Sequence, residues 1–218
     1  MSQADPMLEL QRIDYVPATA SEPILRGVEL CAAPGRPVLV SGESGSGKSS
    51  LLEVISGLAS SSSGRILWRR SVLNQRQRRA LCGLVFQFPE RYFLGLTVAQ
   101  ELKLGHRHLP TDKINQILKR VGLEKIDTRM APERLSGGQQ RRLSLAVQLL
   151  RGARVLLLDE PTAGLDWSVR DEVLSLLADL ARDQILIVVT HEPELFQRWT
   201  CERHRLEAGR LISLSTLN

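Results

Sequence analysis

Eight consecutive residues offer the first recognisable chemistry. Gly42-Glu43-Ser44-Gly45-Ser46-Gly47-Lys48-Ser49, with Ser50 next in the run, fits G-x-x-x-x-G-K-[ST]. Its glycines permit positive φ and let the backbone approach a phosphate closely. The N–H groups of Gly45, Gly47, Lys48 and Ser49 would form a nest for phosphate oxygens, and a following helix would add its positive end. The Lys48 ammonium suits the β- and γ-phosphates, and the Ser49 hydroxyl suits Mg²⁺. This loop points to a nucleoside triphosphate without separating a kinase, a GTPase and a motor. A second segment, Val155-Leu156-Leu157-Leu158-Asp159-Glu160, is an apolar run ending in two acids. Acids against a buried strand call for a cation or a partner. Asp159 is therefore the candidate for holding Mg²⁺, and Glu160 the candidate general base toward water. Because Pro161 follows, the pair alone would also fit a helix start or a surface turn; the phosphate loop upstream favours the catalytic reading. Third, Leu135-Ser136-Gly137-Gly138-Gln139-Gln140-Arg141-Arg142 is a Ser-Gly-Gly turn opening a long helix, again offering backbone donors to an anion.

The elements that must position these residues follow from pattern. Val38–Val40 reads as a short buried strand running into the glycine loop, and Lys48–Leu58 as a helix ending near Gly57. Met7–Leu10 with Ile13–Val16, and Ile24–Leu30, read as strands bounded by Pro17 and Pro34-Gly35. Arg154–Leu158 and Ile185–Val189 are further apolar strands. Gln139–Leu150 and Val169–Ala181 are helical, the latter with Leu174, Leu177 and Leu180 on one face. Apolar strands alternating with helices predict a parallel sheet covered on both faces. From about Phe88 to Leu135 the patterns turn helical, with Val98–Leu104 and Ile114–Val121 clearest, so this block should form a subdomain outside the sheet. Ser60–Ser63 reads as a loop continuing into Gly64.

The motif order now carries a resemblance. The Leu135–Arg142 segment resembles the signature motif of ATP-binding-cassette (ABC) ATPases, and the rest of the chain from about Leu8 to Leu214 agrees in order and spacing. Tyr15 stands where that family has an aromatic that stacks on adenine. Gln87 is similar to the Q-loop glutamine, a further Mg²⁺ ligand, and Asp166, in Gly164-Leu165-Asp166, to the D-loop. His191, after Val189-Thr190, is similar to the switch histidine. The resemblance implies an α/β fold: a P-loop NTPase core with a mainly parallel sheet, an N-terminal antiparallel β subdomain and an inserted helical subdomain. It implies one ABC ATPase domain over residues 1–218, with core and β subdomain at about 1–87 and 136–218 and the helical subdomain at about 88–135. It also implies ATP and Mg²⁺ as ligands, and a head-to-tail dimer with a second ABC ATPase subunit, identical or different. Lys48, Ser49, Gln87, Asp159, Glu160 and His191 would serve the chain's own ATP. Ser136, Gly137, Gly138 and Gln139 would serve the partner's ATP.

The Val85–Leu94 segment, continuing into Thr97-Val98, is similar to the Q-loop region of energy-coupling-factor and cobalt-importer ATPases. In such transporters this region accepts a coupling helix from a membrane partner, and exposed Tyr92, Phe93 and Leu94 would supply apolar contact. The expected role is the ATP-hydrolysing subunit of a membrane transporter, with an integral membrane subunit as partner. The alternative is a soluble ABC-type ATPase acting as an assembly factor or on ribosomes or nucleic acid. The absence of a coiled-coil or zinc insert and of a second cassette weakens the nucleic-acid branch, and no stable nucleic-acid partner is expected. The sequence ends soon after Gly209, so a dimer-stabilising tail of the transporter group is not expected.

Composition agrees with this reading. The 218 residues are 43% apolar and 24% charged, enough for a packed core and far from the composition of a disordered chain. The net charge of +5 is mild and permits an anionic partner without requiring one. No run approaches the ~20 apolar residues of a bilayer-spanning helix, and polar Met1–Asp5 shows no secretory pattern. The expected location is cytoplasmic, peripheral on the inner face of the plasma membrane, or the plastid or cyanobacterial equivalent. The three cysteines are an odd number without CxxC spacing, which fits reduced thiols. The densest basic cluster, Arg69, Arg70, Arg76, Arg78 and Arg79, reads as a solvated face or hairpin edge, with anionic lipid or nucleic acid as the alternative contact.

Overall fold

The computed structural model describes residues 7–214, so Met1–Asp5 lies outside the described residues. In chain order the elements are β1 (Leu8–Tyr15), β2 (Leu25–Ala32), β3 (Val38–Ser41), α1 (Lys48–Ser56), β4 (Ser63–Trp68), β5 (Ser71–Val72), α2 (Gln75–Leu81) and β6 (Cys82–Val85). Then follow α3 (Val98–Lys103), α4 (Thr111–Arg120), α5 (Gly137–Leu150), β7 (Val155–Asp159), α6 (Trp167–Leu180), β8 (Ile185–Thr190), β9 (Glu202–Glu207) and β10 (Arg210–Leu214). One sheet is antiparallel with order β2-β1-β4-β5, and the other has order β10-β9-β3-β8-β7-β6. Within the second, β9, β3, β8, β7 and β6 run parallel and β10 folds back antiparallel on β9. This is the mixed α/β architecture anticipated, with an antiparallel β layer at the N-terminus.

The central strands show why the sequence reads as apolar runs. Every residue of β3, β7 and β8 is buried. Alternation sends Val155, Leu157, Ile185, Ile187 and Val189 to one face and Leu156, Leu158, Leu186 and Val188 to the other. The first face packs on α1 and the antiparallel sheet, through Leu51, Leu52, Ile55, Leu8, Leu10 and Ile66. The opposite face packs on α5 and α6, and α3 and α4 pack in turn on α5. A strand buried on both faces has no polar side to display, hence its uniform composition.

Four details differ from the expectations. Ser63 is not loop but the first residue of β4, paired with Asp14 and donating to its carboxylate at 2.6 Å. On α6 the deeply buried side chains are Val173, Leu177 and Leu180, whereas Leu174 is only partly buried. The basic cluster does not form one solvated face. Arg69 and Arg70 do sit at the hairpin edge expected of them, making the β4–β5 turn at positive φ. Arg78 is buried, bonding the Val54 carbonyl, and Arg79 donates to the Gly57 carbonyl at 2.9 Å. These two side chains tie α2 to the C-terminus of α1, where helix carbonyls lack partners. Finally, Phe93 is half-buried against the core and not exposed, unlike Tyr92 and Leu94.

Candidate functional site

The parallel strands end at one edge, and the loops leaving them converge there. This is where open α/β sheets bind ligands. From β3 the chain enters Gly42–Gly47 and turns into α1 through Gly47, at φ 100°. Among the described residues no side chain caps α1, so its first amides lack a helical partner. An added Cβ at Gly47 would lie 2.7 Å from Ile24 Cγ2, so glycine is required by both conformation and space. Lys48 is buried, and its Nζ donates to the carbonyls of Gly42 and Glu43 at 2.7 and 2.8 Å. The ammonium is thus held over its own loop.

β7 delivers the acids. Ser49 Oγ donates to Asp159 Oδ2 at 2.6 Å. Burial raises the Asp159 carboxyl above its ordinary range, opposed by the Ser49 hydrogen bond. Glu160 follows with φ 47°, a left-handed conformation unusual for a non-glycine residue. Its N–H donates to the Val189 carbonyl of β8 at 3.0 Å. Its Oε1 lies 2.8 Å from His191 Nδ1, while its buried Oε2 has no partner among the described residues. The contact with Glu160 raises the His191 imidazole above its usual pKa.

A cavity of about 420 Å³ is lined by Ile24, Ser44, Gly45, Gly47, Lys48, Ser49, Ser50, Gln87, Asp159, Glu160 and His191. The structure therefore brings together the phosphate loop, the strand-end acids, Gln87 and His191. A second cavity of about 930 Å³ adjoins it, walled by Gly42, Glu43, Ser46, Ile24 and the β9–β10 turn. Tyr15 lines neither; it is half-buried, and its carbonyl accepts from Ile24 N–H at 2.8 Å. The apolar wall beside the loop is Ile24, just before β2, which the sequence reading placed at the start of a strand and did not single out, because one aliphatic residue there carries no site pattern. Ser136, Gly137, Gly138 and Gln139 also lie outside both cavities. There Ser136 Oγ accepts from Gln139 N–H at 3.3 Å and Gln139 Oε1 accepts from Ser136 N–H at 3.0 Å, a reciprocal cap on α5. Asp166 is the exposed N-cap of α6.

The donors facing the cavity test the fit to a metal. Ser49, Asp159 and Gln87 supply hard oxygen ligands, which suit Mg²⁺. Among the described residues no cluster of three acidic, histidine or cysteine ligands could hold an ion alone.

Comparison with known proteins accords with this geometry. Residues 25–163 match the family model described as ABC transporter. This chain belongs to the ABC transporter family. It is 33% identical to ABC transporter I family member 11, chloroplastic, of Arabidopsis thaliana, over 94% of this chain and 80% of that protein. It is 31% identical to the energy-coupling factor transporter ATP-binding protein EcfA2 of Methanospirillum hungatei, over 97% of this chain but 56% of the relative. The solved structure of cbiO1 from Clostridium perfringens, part of the ABC transporter complex cbiONQ, superposes with a TM-score of 0.85. The two are 29% identical and the match covers 96% of this chain and 88% of that one. As an ABC ATPase, the chain binds and hydrolyses ATP. The relatives' names give the assembly-factor and ribosome alternative no support. No described helix is long and apolar enough to cross a membrane.

Proposed function

We propose that this chain is an importer-type ATP subunit that works with Mg²⁺, pairs with a second ABC ATPase subunit and drives an integral membrane subunit from the cytoplasmic side. The convergence of Lys48, Ser49, Gln87, Asp159, Glu160 and His191 on one cavity carries the reading. The loop amides and Lys48 would hold the β- and γ-phosphates, with the base toward Ile24, which lines both cavities. Mg²⁺, when bound through Ser49, Asp159 and Gln87, would neutralise phosphate charge. Glu160, on the cavity wall, would accept the proton of the attacking water through its carboxylate. His191, holding Oε1 through Nδ1, would orient that carboxylate and reach the γ-phosphate through its other ring nitrogen. Ser136–Gln139, outside the cavity, would meet the ATP of the second subunit, with Asp166 beside the shared interface.

The membrane partner would dock on an apolar patch. Phe88, Tyr92, Leu94 and Leu96 are exposed, the last two by about 80%. Tyr92 stacks on Phe86 at 4.0 Å, next to Gln87, so the patch adjoins the site. The likeness to cbiO1 and EcfA2, whose names place them in transporters, supports this docking.

Replacing Glu160 with Gln should lower kcat by about 10²–10⁴-fold with ATP affinity retained. Lys48→Ala should weaken ATP binding by about 10- to 10²-fold in calorimetry. Wild-type turnover in the first variant, or unchanged affinity in the second, would refute the site.

A further inference from the structure

Arg141 is the most deeply buried cation near the site, at 3% exposure, yet it lines neither cavity. It sits one turn into α5, downstream of the Ser136 cap. Its Nη1 donates to the carbonyls of Phe86 and Gln87 at 3.0 and 2.8 Å, and its Nη2 to that of Ala163 at 3.3 Å. Its Nε has no partner among the described residues. Among the described residues it makes no ion pair within 4 Å; Glu90 and Asp159 act on it only through their fields. Burial lowers its pKa to about 10, so it stays charged at neutral pH.

A buried guanidinium without a close carboxylate is a poor device for stability, since desolvation opposes it and no ion pair compensates. Its geometry does something else. The planar fork spans two loops that share no direct bond. One runs from Phe86 to Tyr92, carrying Gln87 into the cavity and Tyr92 onto the surface. The other runs from Glu160 to Ala163, immediately after the base. The side chain itself belongs to the helix that bears Ser136. Three segments therefore meet at one rigid group, and a shift in any of them must be felt by the others.

Resting on the site reading above, we propose that Arg141 is a positioning residue that locks Gln87, the turn after Glu160 and the Ser136 helix into one unit, so that ATP in the cavity sets the Ser-Gly-Gly turn. A lysine keeps the charge but cannot bridge both loops. A methionine keeps most of the volume and removes the charge, an exchange that buried cations often tolerate.

The test uses the full chain as wild type, Arg141→Lys and Arg141→Met. Hydrogen exchange would be followed with and without Mg-ATP, alongside steady-state ATPase. In wild type, ATP should slow exchange in the Lys48 loop and also in residues 86–92, 162–166 and 136–140. In whichever variant melts as a folded protein, protection should stay at the Lys48 loop and vanish from the other three. The kcat should fall about 10²-fold, as a small misplacement can produce, with KM changed by no more than about twofold. Retained protection at residues 136–140 in both variants, or wild-type kcat, would overturn the proposal. So would losses that merely track the unfolded fraction. Lys48→Ala separates the two failures: unchanged ATP affinity there refutes the site, whereas normal coupling in the Arg141 variants refutes only this link.

Discussion

At the scale of single residues, Glu160 concentrates the unusual features. It has a left-handed backbone, one carboxylate oxygen on His191 and the other buried without a partner among the described residues. Strained non-glycine residues persist where surrounding structure holds them, and they gather at functional sites. Here the restraint is the Glu160 N–H bond to β8. The His191 contact gives a titration to observe. Because the folded state raises the His191 pKa, its contribution to stability is fully present below the ordinary imidazole value of about 6.5. That contribution is lost as pH rises through the higher folded value. The ring is half exposed, so the effect on stability will be small. NMR of the imidazole should nonetheless show His191 titrating above 6.5, and falling back toward it in Glu160→Gln. An unaltered His191 titration in that variant would contradict the pairing.

At the scale of elements, α5 and α6 are set by close approach at two glycines. A Cβ on Gly138 would lie 2.3 Å from Val169 Cγ1, and one on Gly137 would lie 3.3 Å from Leu165 Cδ2. Gly138→Ala should therefore push α6 away and destabilise the fold by about 1–3 kcal/mol, the usual range for overpacking. Urea unfolding checks this, and a midpoint at or above wild type would contradict the packing. Elements were legible in the sequence where burial alone decides them. β3, β7 and β8 are uniformly apolar, and α1 is marked by the glycine loop before it and Gly57 after it. β9, Glu-Arg-His-Arg-Leu-Glu, has one buried residue, Leu206, and is a strand because β3 supplies its hydrogen bonds. α2 is similar: its buried residue is Arg78, so it has no apolar stripe to read. β6 is four residues long and includes a glycine. The site divides the same way. Lys48, Asp159, Glu160 and His191 sit in motifs or at the ends of apolar runs, whereas Ile24 becomes a wall only through folding. Arg141 stood within the Ser-Gly-Gly segment, but nothing local says that its side chain turns inward to three carbonyls.

At the scale of the whole molecule, the exposed leucines near the site are the surface proposed for docking. The Leu94 and Leu96 side chains are held outward by an internal anchor. Buried Glu101 accepts from the N–H groups of Leu94 and Gly95 at 2.8 and 2.7 Å through one oxygen, fixing the loop on the first turn of α3. Replacing both leucines with Asp should abolish co-purification with the membrane subunit from detergent extracts. The isolated chain's melting temperature and ATP affinity should be unchanged, because neither side chain packs inside. Continued co-purification would place the docking surface elsewhere.

The strand order has a consequence for how the protein is made. β3, which leads into the phosphate loop, is flanked by β8 and β9 and by no strand close to it in sequence. Val38 pairs with Ile187 and Glu202, so both neighbours come from the last part of the chain. A ribosome that has finished the loop still has most of the polypeptide left to synthesise before β3 can be seated. Such distant pairings form slowly and leave apolar strands uncovered meanwhile. Nucleotide competence therefore waits until β8 and β9 have been made, and a product lacking them would carry the whole Gly42–Ser49 motif without the sheet that holds it in place.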